Sequence, residues 1–140
     1  MRETLFKAKR LDKGGWVEGC YLKKFDPLLG IAKHFILKQR EMQSFCDWYP
    51  VIGETVCQYT GMTDKNGTKI FEGDVVDACL DPEVVEGEVK FEDKIACFCI
   101  VINDQDFTTF LDYRIAKNKV NDRVWIEVVH NIHDKEENNG

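Results

Sequence analysis

A chain of 140 residues that is 44% hydrophobic and 31% charged has the balance of one globular domain or two small ones, which excludes a wholly disordered polymer. Its longest apolar run, Ala96–Ile102, falls far short of the ~20 residues that span a bilayer, so no membrane helix is expected. The net charge of −6 is uneven: residues 1–50 carry ten Lys/Arg against six Asp/Glu, and residues 51–140 carry nine against nineteen. That acidic C-terminal portion repels phosphate backbones and argues against broad nucleic-acid binding.

In chain order, Thr4–Lys9 alternates weakly, Asp12-Lys13-Gly14-Gly15 is a turn cluster, and Trp16–Lys23 resumes with aromatic and β-branched residues. An opening hairpin is predicted. Asp26-Pro27 begins a break. Lys33–Gln39 carries some helical spacing but is short, so it reads as a strand. Residues 40–46 read as a loop, and Asp47–Ile52 as an extended piece around Pro50. The composition shifts near Gly53-Glu54. Beyond it, Asp74–Leu80, Glu86–Phe91, Ala96–Ile102 and Val124–Ile132 carry strand patterns, with Ala96–Ile102 apolar on both faces and therefore central. Phe107, Phe110, Leu111 and Arg114 sit near helical spacing, which predicts a short helix within Phe107–Lys119; Asp134–Gly140 is a polar tail.

The densest turn chemistry lies in Gln58–Val76. Asn66-Gly67 suits the two positive-φ positions of a type I′ turn, with Asp64 accepting backbone N–H groups ahead of it. Gly61 and Gly73 predict bulges or tight bends. A calcium loop does not fit, because it needs Gly at position 6 and Glu at 12, whereas Gly67 falls at position 4 and Val75 at 12.

Chemistry-bearing constellations are weak. The candidate ligand clusters are His130-x-x-His133 with Asp134, and Cys97-x-Cys99; no CxxC pair is present, so core cysteines and rim histidines are the expectation. The six cysteines (Cys20, Cys46, Cys57, Cys79, Cys97 and Cys99) read as reduced thiols, because the first residues lack the apolar region of a secretory signal. Glu72, Asp74 and Asp77 gather near one bend, where turn service is the simpler role. Ser44 is the lone serine, and neither G-x-S-x-G nor a phosphate-cradling glycine loop occurs. Among the aromatic residues, Trp48-Tyr49-Pro50 is the best candidate binding patch.

Gln58–Gly61, Asp64–Gly67, Ile70 and Glu72–Val75 resemble the signature of the YopX family of phage and prophage proteins. Arg2–Ala8 resembles that family's start and Glu127–Ile132 its closing strand, while Cys57 and His130 stand where glycine is usual. The resemblance implies short β-hairpins in an N-terminal β-rich part, a C-terminal SH3-like barrel, temperate phage origin and the bacterial cytoplasm. It implies no activity.

The resulting expectation is a mainly β (β-rich α+β) chain divided as 1–53, 54–134 and a tail at 135–140, with neither cofactor nor catalytic site. Its leading functional reading is a non-enzymatic protein-binding or adaptor module that contacts a host or phage protein through Trp48 and Tyr49; a homo-oligomer is compatible with it. A second reading is nucleic-acid binding through Trp16, Lys23, Lys24 and Lys33. A third is a metal-dependent or hydrolytic enzyme, which would need a pocket of acidic residues with perturbed pKa values.

Overall fold

Residues 4–12, 14–39, 46–79, 83–102, 107–109 and 124–134 are described in the computed structural model. They form eleven strands: β1 (Phe6–Lys9), β2 (Trp16–Asp26), β3 (Ile31–Gln39), β4 (Cys46–Pro50), β5 (Cys57–Thr63), β6 (Lys69–Phe71), β7 (Asp74–Cys79), β8 (Val84–Glu92), β9 (Cys97–Val101), β10 (Phe107–Thr109) and β11 (Trp125–Asn131). A single 3-10 turn, Gly53–Thr55, precedes β5. No helix among the described residues is long and apolar enough to cross a membrane.

The strands build two antiparallel sheets, in the orders β4-β3-β2-β1-β5-β6 and β10-β9-β8-β7-β11. The chain divides into two compact units, one ending at Tyr59 and the other running Thr60–Asp134, so the boundary falls inside β5. The composition shift at Gly53-Glu54 marks the 3-10 turn ahead of that strand.

In the first unit β1 to β4 follow one another as a meander. Arg10 then bridges to Val51, flanked by hydrogen bonds from Leu11 N–H to Pro50 O (3.0 Å) and from Ile52 N–H to Lys9 O (2.9 Å). One face of these strands collects Ala8, Val17, Ile36 and Val51 into a core, with Phe6, Tyr21, Tyr49 and Val56 packed around it. Strand periodicity dictates this, because alternate residues leave on opposite sides of a sheet.

The second unit buries Ile70, Val76, Ala78, Val89, Phe98, Ile100, Val124 and Ile126. Each fully buried Ile or Val contributes roughly 1.5–3 kcal/mol. β9 lies between β8 and β10, and its successive residues Phe98, Cys99 and Ile100 are all buried, so both of its faces are covered. β10 and β11 are the edges among the described strands, so the sheet is open and the SH3-like closure expected for residues 54–134 is not observed. The helix expected within Phe107–Lys119 is corrected at its start. Phe107, Thr108 and Thr109 pair with Val101, Ile100 and Cys99, because the exposed ladder of β9 satisfies their backbone groups as a strand. The rest of that helix expectation lies outside the described residues, as does most of the loop expected at 40–46.

The β5–β6 hairpin is present, but its turn differs from the type I′ expectation. Gly67 N–H donates to Asp64 O (3.0 Å), closing a turn over Asp64–Gly67. Gly67 has φ +83°, whereas Asn66 is not among the positive-φ residues. A five-residue loop between β5 and β6 is commonly built on a type I turn, which asks nothing special of Asn66. Asp64 is the organiser: Oδ1 accepts the N–H groups of Asn66 and Thr68 (2.9 Å each), and Oδ2 accepts that of Val128 (2.9 Å). Gly61, within β5, has φ +87°, and Gly73, between β6 and β7, has φ +86°, both in the region that favours glycine. At Gly73 the bend is secured by buried Asp74, whose carboxylate accepts Phe71 N–H (2.8 Å) and the Asn131 side-chain amide (3.0 Å).

Replacing Asp64 by Ala removes the acceptor of three part-buried backbone N–H groups at an exposed turn and is expected to cost about 2–3 kcal/mol. Gly67→Ala meets no atom within 4 Å, so its cost is conformational, about 1–2 kcal/mol. Asn66→Ala is expected to cost under ~1 kcal/mol. Urea unfolding of the three variants tests the order; equal losses at Asn66 and Gly67 would restore the type I′ turn.

Candidate functional site

β2 and β3 form a long hairpin whose turn is fixed by Asp26. Its Oδ1 accepts the N–H groups of Leu28 (3.0 Å) and Leu29 (3.3 Å), and Gly30 N–H donates to Asp26 O (2.8 Å). Lys33 Nζ lies 3.5 Å from Asp26 Oδ2. Desolvation raises the Asp26 pKa, but the hydrogen bonds from Leu29 and Leu28 together with Lys33 outweigh it, leaving the carboxyl below its ordinary value.

Register then decides which side chains share a face. On the face away from the core, Cys20, Leu37 and Trp48 form one cross-strand row, and Leu22, Phe35 and Pro50 form the next. Phe35 and Trp48 meet edge to face, with ring centroids 5.5 Å apart. Trp48 remains 51% exposed. A cavity of about 400 Å³ adjoins these rows, lined by Leu11, Ile31, His34, Phe35, Pro50 and Val51 among others.

Among the described strands β4 is also a sheet edge. Val51 N–H donates to His34 O (3.0 Å), which sets the phase of the ladder: Asp47, Tyr49 and Val51 turn their backbone groups toward β3. Cys46, Trp48 and Pro50 therefore turn theirs outward, and Pro50 O is indeed taken by Leu11 N–H. Among the described residues, the N–H and C=O of Trp48 face the open side of β4.

The residues singled out from the sequence do not form one site. Trp48 and Tyr49 alternate across β4, so Trp48 joins the open face while Tyr49 packs on the core and carries Arg10 over its ring at 4.8 Å. Lys23 and Lys24 likewise leave opposite faces: Lys24 lies beside Lys33 and Lys23 beside His34. Trp16 sits at the far end of β2, under Lys7 (4.5 Å) and Lys9 (5.3 Å). The proposed basic stripe is therefore divided. Cys20, Leu22, Phe35 and Leu37 were passed over, although the alternation Ile31-x-Lys33-x-Phe35-x-Leu37 carried the signal. His34 was missed too; its Nδ1 lies 2.6 Å from Tyr21 Oη, with the rings stacked. That contact joins positions whose proximity only the β2–β3 register creates.

Asp64, Asn66, Gly67, Gly61 and Gly73 take the structural positions already described. His130 Nδ1 approaches Asn131 O (3.3 Å), Asp134 accepts Asn131 N–H (2.8 Å), and His133 N–H donates to Asn131 Oδ1 (2.9 Å). No group of three or more His, Cys, Asp or Glu suited to a metal stands together among the described residues. Cys99 is buried on β9, and burial, followed by the neighbouring Cys97 and Glu92, pushes its thiol pKa up. Cys57, where the family resemblance leads one to expect glycine, is buried with its thiol directed at Thr55 O (3.2 Å). At His130, the second such position, the β11–β7 register shifts between Val128 and His130.

The family described as YopX protein matches residues 6–137. The chain belongs to the YopX family. Its description names no activity. This YopX-family chain is similar in structure to protein EF1440 from Enterococcus faecalis, with a TM-score of 0.55, 22% identity and 98% coverage of both chains. That likeness bears on the fold alone. No curated protein matches the sequence.

Two outcomes follow from this geometry. Under native conditions a thiol reagent is expected to modify exposed Cys20 and Cys46 first, and buried Cys57 and Cys99 only on unfolding; mass mapping of the adducts reads this directly. Because the folded pKa of Asp26 is depressed, its stabilisation of the turn is full above the ordinary value of 3.8 and drains away as pH falls through the folded value. The protection of the Leu28 and Leu29 amides against exchange, relative to their intrinsic rates at each pH, is therefore expected to fall on acidification, and Asp26→Asn to abolish that step.

Proposed function

We propose that this chain is a non-enzymatic protein-binding module of the phage and prophage type, working in the bacterial cytoplasm. It would hold an extended segment of a host or phage protein along β4. The observation that carries the reading is the pair of rows Cys20–Leu37–Trp48 and Leu22–Phe35–Pro50, exposed at Cys20, Trp48 and Pro50 and half-buried between, beside the edge that β4 forms among the described strands. An added strand would take the outward N–H and C=O of Trp48, and its alternate side chains would rest on Trp48, Phe35 and Leu37. Lys24 and Lys33 on the same face favour a segment that carries acidic residues. The sequence motif over Gln58–Val76 supports the phage setting.

Trp48 is the expected anchor, since exposed aromatic residues dominate such interfaces. Trp48→Ala is expected to weaken binding of a purified partner by roughly 30-fold, the equivalent of about 2 kcal/mol, while leaving the far-UV spectrum unchanged. A partner held equally well by wild type and Trp48→Ala would remove β4 from the reading. Recovery that disappears on nuclease treatment and falls steeply with salt would replace the protein partner with nucleic acid.

A further inference from the structure

The β2–β3 turn exposes an unusual amount of apolar surface. Leu28 is 94% exposed, Phe25 64%, Leu29 61% and Ile31 52%. Single exposed apolar residues are ordinary, but four within the seven residues Phe25–Ile31 form a contiguous cap. The cap is held rigidly, because Asp26 ties down Leu28 and Leu29 through their N–H groups and Pro27 fixes the entry to the turn. Apolar side chains leave both faces: Ile31 leaves one face of the hairpin, beside Asp26 whose charge Lys33 offsets, Phe25 leaves the other, and Leu28 and Leu29 lie in the turn.

Directly behind the cap stands a collar of cations. Lys24 and Lys33 are cross-strand partners on one face, and Lys23 projects from the other beside His34. Two lysines placed opposite each other repel, so the pair works against the hairpin's own stability. Asp26 offsets Lys33, but among the described residues no carboxylate lies within ion-pair distance of Lys23 or Lys24. The Lys24–Lys33 row is two ladder rows behind Asp26–Ile31, and thus roughly 10 Å behind the leucines at ~3.4 Å per row. That spacing matches the ~5–10 Å to which interfacial segments sink below lipid headgroups.

We propose that the β2–β3 hairpin tip inserts into an anionic phospholipid surface, with Leu28, Leu29, Phe25 and Ile31 entering the interface and Lys23, Lys24 and Lys33 pairing with headgroup phosphates. A protein groove reads one face of a strand; a lipid interface accepts a wedge with apolar side chains on both faces and cations around its base. Acidic residues elsewhere in the chain are screened beyond ~8 Å at physiological salt, so they do not cancel the local attraction. The site goes beyond the binding face at β4 and does not depend on it.

Flotation with vesicles tests the assignment. The full chain is expected to float with vesicles of phosphatidylcholine and phosphatidylglycerol in equal parts, to float far less with phosphatidylcholine alone, and to be released by raised salt. Leu28→Ser with Leu29→Ser is expected to lower partitioning at least about tenfold, and Lys23→Gln or Lys24→Gln about fivefold each. Because these side chains are exposed, the thermal midpoint should hold, and Trp48→Ala should float as the wild type does. Equal flotation with both vesicle types overturns the role of the lysines, and unaltered flotation of the leucine variant overturns the insertion. Failure to float with either vesicle, together with loss of a purified protein partner in the leucine variant, would assign the tip to a protein pocket instead.

Discussion

The carboxylate of Asp64 accepts three backbone N–H groups, two from the turn it opens and one from Val128, 64 residues further along the chain. A tight turn leaves backbone donors without strand partners, and the buried carboxylate beneath it supplies their acceptors in a single side chain. The same residue thus closes the β5–β6 loop and ties β11 to it, with Lys65 N–H adding a bond to Ile126 O (2.9 Å). Asp74 repeats the device one bend later, joining Phe71 to Asn131. The two aspartates are the local condition for the second unit's core, because Ile70, Val76 and Ile126 are set by the strands that those turns orient.

The first unit solves a different problem. Its core needs only one face of β1 to β4, so the opposite face of β2, β3 and β4 is left with aromatic and aliphatic side chains that are half-buried or, at Trp48, exposed. Burial energy accounts for that placement only in part, since Leu22, Phe35 and Leu37 are half-buried while Trp48 stays 51% exposed. The hairpin tip goes further, placing its most exposed leucine on a turn that is tightly hydrogen bonded. Apolar surface held on a rigid frame suits recognition, because little conformational entropy is lost when a partner covers it. The fold therefore separates its tasks: turn aspartates and core strands provide stability, while the meander presents surface.

Much of the architecture was legible in the sequence. The patterns read over Trp16–Lys23, Lys33–Gln39, Asp74–Leu80, Glu86–Phe91 and Val124–Ile132 meet the strands β2, β3, β7 (Asp74–Cys79), β8 and β11 (Trp125–Asn131), because period-2 alternation is a direct record of which face is buried. The Gln58–Val76 motif was legible as turn chemistry and as a family signature. Phe107 misled, since aromatic residues at helical spacing match a strand edge equally well over three residues. Asn66-Gly67 misled in a narrower way: the dipeptide tolerates two positive φ values, but here Asp64 sets the turn one step earlier and needs only the glycine.

The candidate site was harder to read for one physical reason. Trp48 and Tyr49, like Lys23 and Lys24, are neighbours in sequence and were grouped on that account, yet a strand sends adjacent side chains to opposite faces. By itself the sequence determined the strands, the turn residues and the family, because each depends on contacts a few residues apart. Only the tertiary structure decided that Leu22, Phe35 and Pro50 share a row, and that Tyr21 meets His34. The same holds for Val128, which completes the ligands of Asp64. Those relations are set by strand register, and register is fixed by which side chains find a common core rather than by any local propensity.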